Sequence, residues 1–378
     1  MQYVPFGKLG FDVSRLGMGC MRLPTVQKDG KTVIDREAAI AMIRTGIDRG
    51  ITYVDTAYPY HDGESELVVG EALKDGYREK VKLATKLPIW LVKEEKDMNR
   101  LLDEQLKKLG VASIDFYLLH AMNKDRMELM RSLNYKKFLD EAVADGRIKY
   151  PAFSFHDDKA CFLDILGDYN WAMAQIQYNY LDDDKQATEE GLKAAGKAGV
   201  PLVIMEPLRG GALANPPADV KQLMDAYEKQ RSAVEWAFAY IADYAEVATI
   251  LSGMSSMEQL EDNLQIFDRL TVGGLSESDK ALVSELKKTY LARVPIGCTG
   301  CRYCVPCPND VFIPSVFHSY NENAMLGQNW KHSWGYNNLV KEGHDASQCI
   351  GCGACESQCP QSLPIIDLLQ KIDGEFKA

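Results

Sequence analysis

Up to about residue 270, short apolar segments alternate with longer amphipathic ones, and the alternation is repeated eight times. The apolar segments predict strands at 15–21, 52–56, 81–86, 114–120, 148–154, 173–177, 201–206 and 247–253. The stretches between them have helical patterns, and several end at a glycine suited to terminate a helix. Strands that are apolar on both faces belong to parallel sheets covered by helices. We therefore predict an α/β fold, a (β/α)8 TIM barrel. An open doubly wound sheet is the alternative, disfavoured because no G-x-G-x-x-G follows the first strand.

Eight of the ten cysteines lie in two runs near the C-terminus. The first run is C-x2-C-x2-C-x2-C-P and comprises Cys298, Cys301, Cys304 and Cys307. The second is C-x2-C-x2-C-x3-C-P and comprises Cys349, Cys352, Cys355 and Cys359. Such tight steps let one loop place several thiolates around an inorganic cluster, and the second run has the spacing of two-cluster ferredoxins. We predict two [4Fe–4S] clusters in a small C-terminal α-helical domain of ferredoxin type.

Other uses of these cysteines fit the sequence less well. A disulfide framework belongs to small secreted domains, and the opening residues MQYVPFGKLG lack the basic and apolar regions of an export signal. Structural zinc uses paired C-x2-C steps with four ligands per ion, which two full runs match badly. The remaining Cys20 and Cys161 are expected to be small buried hydrophobes.

We divide the chain into a barrel domain at 1–290 and a cluster domain at 291–378. The segment between the two cysteine runs is rich in aromatic and histidine residues, which we expect to supply apolar packing around the clusters. They are His318, Tyr320, Trp330, His332, Trp334 and Tyr336.

Composition limits the classes of partner. Hydrophobic residues make up 46% and charged residues 26%, an ordinary composition for a water-soluble protein with a sizeable core. The net charge is −11 and no cluster of Lys and Arg is present, so no nucleic-acid partner is expected. No apolar run is long enough to cross a membrane. Clusters that are sensitive to oxygen suggest a reducing, cytoplasmic location.

Four polar side chains follow three successive predicted strands, at the barrel face where active sites lie. Asp55 ends the second strand and Tyr60 follows it, Lys86 ends the third, and His120 ends the fourth. A phenol is a reluctant proton donor, but a neighbouring ammonium ion favours the phenolate and lowers its pKa. Tyr60 would then protonate a carbonyl oxygen during reduction, with Asp55 orienting Lys86 and His120 hydrogen-bonding the substrate.

Several motifs resemble the aldo-keto reductase family over most of residues 1–270. They are VDTAYPY (54–60), ESE (64–66), VGEAL (69–73), ATK (84–86), LLH (118–120), Q-x-x-Y-N (175–179) and the segment SGMSSMEQLEDN (252–263). The whole chain resembles the subgroup that carries a C-terminal ferredoxin-type domain. The resemblance implies a catalytic tetrad of Asp55, Tyr60, Lys86 and His120, and a nicotinamide cofactor across the barrel mouth.

The resemblance also implies the contacts to that cofactor. Ser154 and Gln175 would bind the carboxamide, although Phe155 stands where family members often have Asn. The loop over the pyrophosphate would comprise Pro207, Leu208, Gly210 and Gly211, with Arg209 either neutralising phosphate or solvated. The adenosine end would be held by Gly253, Ser255, Gln259 and Asn263. Residues 252–263 contain no Lys or Arg, so NADP(H) and NAD(H) both stay open.

The cluster ligands are expected to cross between the runs, as in two-cluster ferredoxins. One set would be Cys298, Cys301, Cys304 and Cys359, and the other Cys349, Cys352, Cys355 and Cys307. The first run is one residue short, which leaves a permuted set open.

Three functions compete. The first is an NAD(P)H-dependent reductase of a small carbonyl substrate whose clusters transfer electrons. Because hydride carries two electrons and a cluster moves one, direct exchange would need a nicotinamide radical, so a flavin or an electron-transfer protein is expected as an intermediary. The second is a reductase with purely structural clusters. The third is a redox-sensing, regulatory protein that binds nicotinamide.

Overall fold

The computed structural model describes residues 1–328 and 333–377. Its strands in chain order are β1 (Tyr3–Pro5), β2 (Asp12–Ser14), β3 (Leu16–Gly19), β4 (Thr25–Lys28), β5 (Lys31–Ile34), β6 (Tyr53–Asp55), β7 (Lys82–Leu87), β8 (Ile114–Met122), β9 (Ile148–Phe155), β10 (Met173–Gln177), β11 (Leu202–Met205) and β12 (Val247–Ser252). The helices before the cysteine runs are α1 (Arg36–Asp48), α2 (Ser65–Ala72), α3 (Glu95–Leu109), α4 (Lys124–Ser132), α5 (Tyr135–Ala144), α6 (Lys159–Asp168), α7 (Thr188–Ala198), α8 (Ala218–Ala226), α9 (Ala233–Ala242), α10 (Met257–Phe267) and α11 (Glu277–Ala292). The later helices are α12 (Ile313–Leu326), α13 (Trp334–Glu342), α14 (Ala354–Ser357) and α15 (Ile365–Lys377).

Eight parallel strands form a closed barrel in the order β10-β11-β12-β3-β6-β7-β8-β9. All eight predicted strands are present, so the (β/α)8 prediction is confirmed and the open-sheet alternative is wrong. The barrel closes where β12 pairs with β3, with Ile250 opposite Leu16.

A buried arginine reinforces this closure. Arg15 precedes β3, is 1% exposed, and donates hydrogen bonds to the carbonyl oxygens of Val247 and Ala242. Burial lowers the pKa of Arg15 to about 10, so the side chain stays charged at neutral pH. It thereby joins the first barrel strand to the last one and to the end of α9.

Helix ends follow the local sequence. The helix α3 starts with a capping box. The Glu94 side chain accepts a hydrogen bond from the backbone N–H of Asp97, and the Asp97 side chain accepts one from the backbone N–H of Glu94. It ends at Gly110, which has a positive φ of 64° that glycine adopts without strain. These signals explain why the sequence pattern located helices of this type well.

Short strands that the pattern did not predict form two hairpins. The hairpin β1–β2 belongs to the N-terminal end of the chain, and β4–β5 follows the first barrel strand. Phe6, between β1 and β2, is fully buried and packs in one hydrophobic cluster with Tyr53 and Phe116 of the barrel. The N-terminal hairpin thus contributes an aromatic side chain to the barrel core.

The chain forms two compact units. The first comprises residues 1–210 and 234–280 and contains the barrel, and the second comprises 211–233 together with residues from 281 onward. The segment 211–233, which includes α8, therefore groups with the C-terminal part of the chain. The domain boundary near residue 290 stays a prediction.

The second unit has its own hydrophobic core around the cysteine runs. Its buried members include Phe317, Tyr336 and Ile365, and six of the eight run cysteines pack against it. Tyr320 also belongs to this core, whereas Trp334 is 81% exposed. Trp330 and His332 lie outside the described residues. Across the described part of the chain, no helix combines the length and the apolar character that crossing a membrane requires.

Candidate active site and cluster cavity

Two strand ends and the loop after one of them bring an acid, an amine and a phenol together at the carboxyl end of the barrel. Asp55 is the last residue of β6, Lys86 is the penultimate residue of β7, and Tyr60 begins a short 3-10 turn after β6. The Lys86 ammonium donates to Asp55 Oδ1 at 2.6 Å, to the Thr56 carbonyl oxygen at 2.8 Å and to the Tyr60 hydroxyl at 3.1 Å. An ammonium has three hydrogens, so these three acceptors fix its position.

The charge of Lys86 is held by its partners. Burial lowers the pKa of Lys86, but Asp55 and Tyr60 outweigh burial and raise it above the usual value. Lys86 is therefore a cation beside the phenol at neutral pH.

The Tyr60 phenol is protonated in this setting. Burial raises the pKa of Tyr60 above its ordinary value of 10, although Lys86 acts in the opposite direction. The sequence predicted that Lys86 lowers the pKa of Tyr60. Lys86 does act in this direction, but burial outweighs it, so the pKa is raised overall. Since the Tyr60 oxygen accepts a hydrogen bond from Lys86, its own hydrogen remains to be donated elsewhere.

His120 lies beside Tyr60 on a distorted part of β8. The pairing of β8 with β9 shifts register between Leu119 and Met122, and Ala121 within this bulge has a φ of 53°. Such a bulge redirects a side chain, and the ring centroids of His120 and Tyr60 are 6.2 Å apart. Burial, assisted by the Lys86 charge, places the pKa of His120 well below 6.5. The imidazole is therefore neutral at neutral pH.

Two further polar side chains lie on the neighbouring strands. Ser154 on β9 accepts a hydrogen bond from the Ala121 amide at 2.7 Å. Gln175 on β10 is 1% exposed, and its Nε2 contacts the Met205 sulfur at 3.6 Å. Within residues 1–328 and 333–377 the Gln175 Oε1 has no hydrogen-bond partner. A buried amide with an unsatisfied oxygen is costly unless a ligand completes it, which fits the carboxamide of a nicotinamide.

The loop after β11 has a strained backbone. Glu206, Arg209 and Gly210 all have positive φ values, of 54°, 48° and 68°. Arg209 donates from Nε to Asp182 Oδ2 at 2.9 Å, and both side chains are largely buried. Arg209 is therefore not a solvated charge, since it binds Asp182 and joins this loop to the one after β10. Its role at a phosphate stays a prediction.

The residues predicted to hold the adenosine end also make local contacts. The Ser255 amide donates to Gln259 Oε1 at 2.8 Å, and Asn263 donates to the Ser252 hydroxyl at 3.0 Å. The Ser255 hydroxyl donates to the carbonyl oxygen of Arg22 at 3.0 Å. These contacts order the loop after β12 and connect it to the loop after β3.

Arg22 is a candidate that the sequence reasoning missed. A Cβ placed on Gly253 would lie 3.3 Å from the Arg22 Cβ, and one on Gly210 would lie 3.3 Å from its Nη2. The exposed side chain thus extends between the loops after β12 and β11. Arg22 makes no ion pair within the described parts of the chain. Barrel closure next to β3 was the signal that could have identified it, because the closing strand brings residue 22 to the predicted dinucleotide loops.

In the second unit, four cysteines line one cavity. They come from both runs: Cys298, Cys301, Cys304 and Cys359. Apolar side chains complete the wall, among them Ile313, Phe317 and Leu363. Four thiols around a mostly apolar cavity are a suitable ligand set for a [4Fe–4S] cluster.

The two cysteine loops share an unusual backbone. Gly300 and Arg302 in the first run have φ values of 70° and 67°, and Gly351 and Gly353, at equivalent positions of the second run, have 70° and 76°. The same alternation of left-handed residues turns each loop so that successive cysteines can face one centre. The two runs therefore share these two left-handed positions, and the ligand set of the second run stays a prediction.

The two cysteines outside the runs are poor nucleophiles. Cys20 is fully buried, which raises its pKa well above the usual value. Burial raises the pKa of Cys161 to about 12. Both thiols are therefore protonated at neutral pH.

Comparisons with known proteins match both parts of the chain. The model of the aldo/keto reductase family matches residues 15–279, and that of a 4Fe-4S dicluster domain matches residues 297–363. A probable aldo-keto reductase of Glycine max is 33% identical over 162 residues, which are 41% of this chain and 45% of that protein. The methylglyoxal reductase YeaE of Escherichia coli is 28% identical over 287 residues, 73% of this chain and 97% of that protein. An aldo-keto reductase structure from Bacillus halodurans, in its holo form, has a TM-score of 0.64 at 26% identity and covers 76% of this chain and 96% of its own.

Proposed function

Because the chain belongs to the aldo/keto reductase family and carries a 4Fe-4S dicluster domain, we propose that it reduces an aldehyde or ketone with Tyr60 as proton donor. The supporting observation is the Lys86 ammonium, whose three hydrogens reach Asp55, Thr56 and the Tyr60 hydroxyl. This arrangement leaves the hydrogen of a neutral phenol available at the barrel mouth.

When bound, a nicotinamide cofactor would supply the hydride for the carbonyl carbon. Tyr60 donates its proton to the oxygen, on which negative charge develops. Lys86 stabilises the phenolate that remains, and Asp55 keeps Lys86 charged and in place. His120, being neutral, would donate its one N–H hydrogen bond to the carbonyl oxygen and orient it without competing as an acid.

The residues of the barrel mouth suit a dinucleotide. Gln175 and Ser154 would hold the carboxamide, since Gln175 Oε1 needs a donor. Arg22 would supply positive charge to the pyrophosphate between the loops that contain Gly210 and Gly253. NADP(H) and NAD(H) are both compatible with these groups.

The cysteine cavity supports the crossed ligand set of Cys298, Cys301, Cys304 and Cys359, because all four line one space. The second set would be Cys349, Cys352, Cys355 and Cys307. We propose two [4Fe–4S] clusters, which supply one-electron transfer when present. A flavin or an electron-transfer protein would link that chemistry to hydride transfer, and the reducing cytoplasm would protect the clusters.

The test of the proton donor compares two tyrosines of the same loop. Tyr60→Phe should lower kcat for methylglyoxal or a simple aldehyde by about 10²–10⁴, the usual contribution of a general acid. Tyr58→Phe is the matched control, because the Tyr58 hydroxyl donates to Glu104 and does not contact Lys86. Both variants should bind NADPH as the wild type does. Retention of full activity in Tyr60→Phe would refute the assignment.

A second candidate function has purely structural clusters, and it is favoured by the second unit's core, against which the cysteines pack. Anaerobic mixing of the protein with NADPH distinguishes the two. Bleaching of the visible iron–sulfur absorption supports electron transfer. Unchanged absorption, with carbonyl reduction that survives removal of iron, supports the structural role.

A further inference from the structure

Arg126 is a partly buried cation close to the proposed centre. It lies in the first turn of α4, and its side chain returns to the end of β8, where Nη1 donates to the Ala121 carbonyl oxygen. The guanidinium carbon lies 5.7 Å from the ring centroid of Trp90. Within residues 1–328 and 333–377 Arg126 makes no ion pair with a carboxylate.

Trp90 connects this cation to the proposed catalytic residues. The ring centroids of Trp90 and His120 are 5.1 Å apart, and those of His120 and Tyr60 are 6.2 Å apart. Arg126 is also one of the charges that, after burial and Lys86, lower the pKa of His120. The guanidinium is therefore close enough to His120 to act on it electrostatically.

Within the described residues, the two acids beside the start of α4, Asp125 and Asp157, form no ion pair with Arg126. Asp125 precedes it on α4 and is exposed. Asp157 accepts hydrogen bonds from the backbone amides of Lys124 and Asp158. The neighbouring side chain of Lys124 adds positive charge rather than compensating it.

A partly buried guanidinium with no carboxylate partner among the described residues offers a binding site for an anion. Its planar set of donors matches a carboxylate, which it binds through two parallel hydrogen bonds. We propose that the substrate is a carbonyl compound that also carries a carboxylate, which Arg126 binds while the carbonyl lies at Tyr60 and His120. The apolar face of Trp90 would cover the part of the substrate between the two groups. The inference rests on the proposed function.

A structural role for Arg126 makes a different prediction. Its bond to Ala121 could simply hold the bulge of β8 and, through it, His120. Loss of that role would reduce kcat for every substrate alike. Loss of carboxylate binding would instead raise KM for anionic substrates only.

The experiment uses three aldehydes with the anaerobically purified 378-residue chain: 4-carboxybenzaldehyde, its uncharged methyl ester and methylglyoxal. The wild type should prefer the acid in kcat/KM by about tenfold to a hundredfold, the range expected for hydrogen bonds between charged groups. Arg126→Met should abolish this preference through KM and leave the ester within about twofold. Arg126→Lys should keep part of the preference, because it retains the charge and loses the planar donors.

Lys124→Met is the matched control, since it removes a cation two residues away and should keep the preference. Equal losses for acid and ester in Arg126→Met, or no preference in the wild type, would overturn the inference while methylglyoxal reduction still supports the proposed function. If the wild type reduces none of the three aldehydes, the proposed function fails and the inference fails with it.

Discussion

Lys86→Met should destabilise the barrel strongly, because it leaves the buried carboxylate of Asp55 without its ion-pair partner. The Lys86 and Asp55 side chains are 1% and 3% exposed, and their charged atoms are 2.6 Å apart. Removal of one partner from such a pair costs about 3–5 kcal/mol, since the remaining charge keeps its desolvation penalty. Lys80→Met is a matched control, because Lys80 and Asp48 are 2.9 Å apart and about half exposed, so its cost should stay below about 1 kcal/mol.

The size of the loss should depend on pH. Burial raises the pKa of Asp55, and Lys86 is the group that opposes this. Without Lys86, the folded state therefore holds the Asp55 proton to a higher pH than the unfolded state does. A group with a raised pKa in the folded state stabilises the protein at low pH, and that stability is lost as the pH rises through the folded pKa. The deficit of Lys86→Met should thus be smaller near pH 5 than near pH 8.

Urea unfolding followed by far-ultraviolet circular dichroism would measure these losses, with visible absorption reporting the cluster unit separately. The double variant Lys86→Met/Asp55→Asn should be more stable than Lys86→Met, because it also removes the unpaired carboxylate of Asp55. The reasoning is refuted if Lys86→Met costs no more than Lys80→Met, or if the double variant is the less stable of the two.

Three further predictions concern other parts of the molecule. Cys359→Ser should remove the cluster held by the first run, and Cys307→Ser should leave that cluster in place. Iron analysis and electron paramagnetic resonance of each variant would measure this. Loss of that cluster in Cys307→Ser but not in Cys359→Ser would contradict the crossed set. The buried His120 stays unprotonated in the folded state, whereas the unfolded chain binds a proton there below about pH 6.5, so His120 lowers stability as the pH falls. In His120→Gln, Tm should therefore fall less between neutral and acidic pH than in the wild type. An equal fall in both proteins would contradict the lowered pKa. Gly70→Ala should cost about 1–3 kcal/mol because its Cβ would lie 2.5 Å from the Leu109 carbonyl oxygen; Gly167→Ala, in open helix space, should instead stabilise by up to about 1 kcal/mol in the same denaturation assay.

The sequence predicted the barrel because alternation with strand and helix periods is a local property. It also placed Asp55, Lys86 and Tyr60 together, since residues that end successive parallel strands meet at one edge. The hairpins β1–β2 and β4–β5 escaped the pattern because strands of three or four residues carry little periodic signal.

Other features depend on contacts that are distant in sequence. Arg22 and Arg126 became candidates only when the closed barrel showed which loops are neighbours. The pKa of Tyr60 is raised because the side chain is buried, and no sequence motif shows how deeply a residue is buried. The bulge at Ala121 depends on register between β8 and β9, and the grouping of 211–233 with the C-terminal unit depends on packing.

The link made by Arg15 has a consequence for synthesis on the ribosome. The first barrel strand finds its closing partner, and Arg15 its carbonyl acceptors, only in residues 242–252. At about 5–20 residues per second, β3 must wait on the order of ten to fifty seconds for that partner to emerge. During this interval the nascent sheet keeps an edge able to pair with other chains, so a chain that stops before Val247 should be a ready target for chaperones.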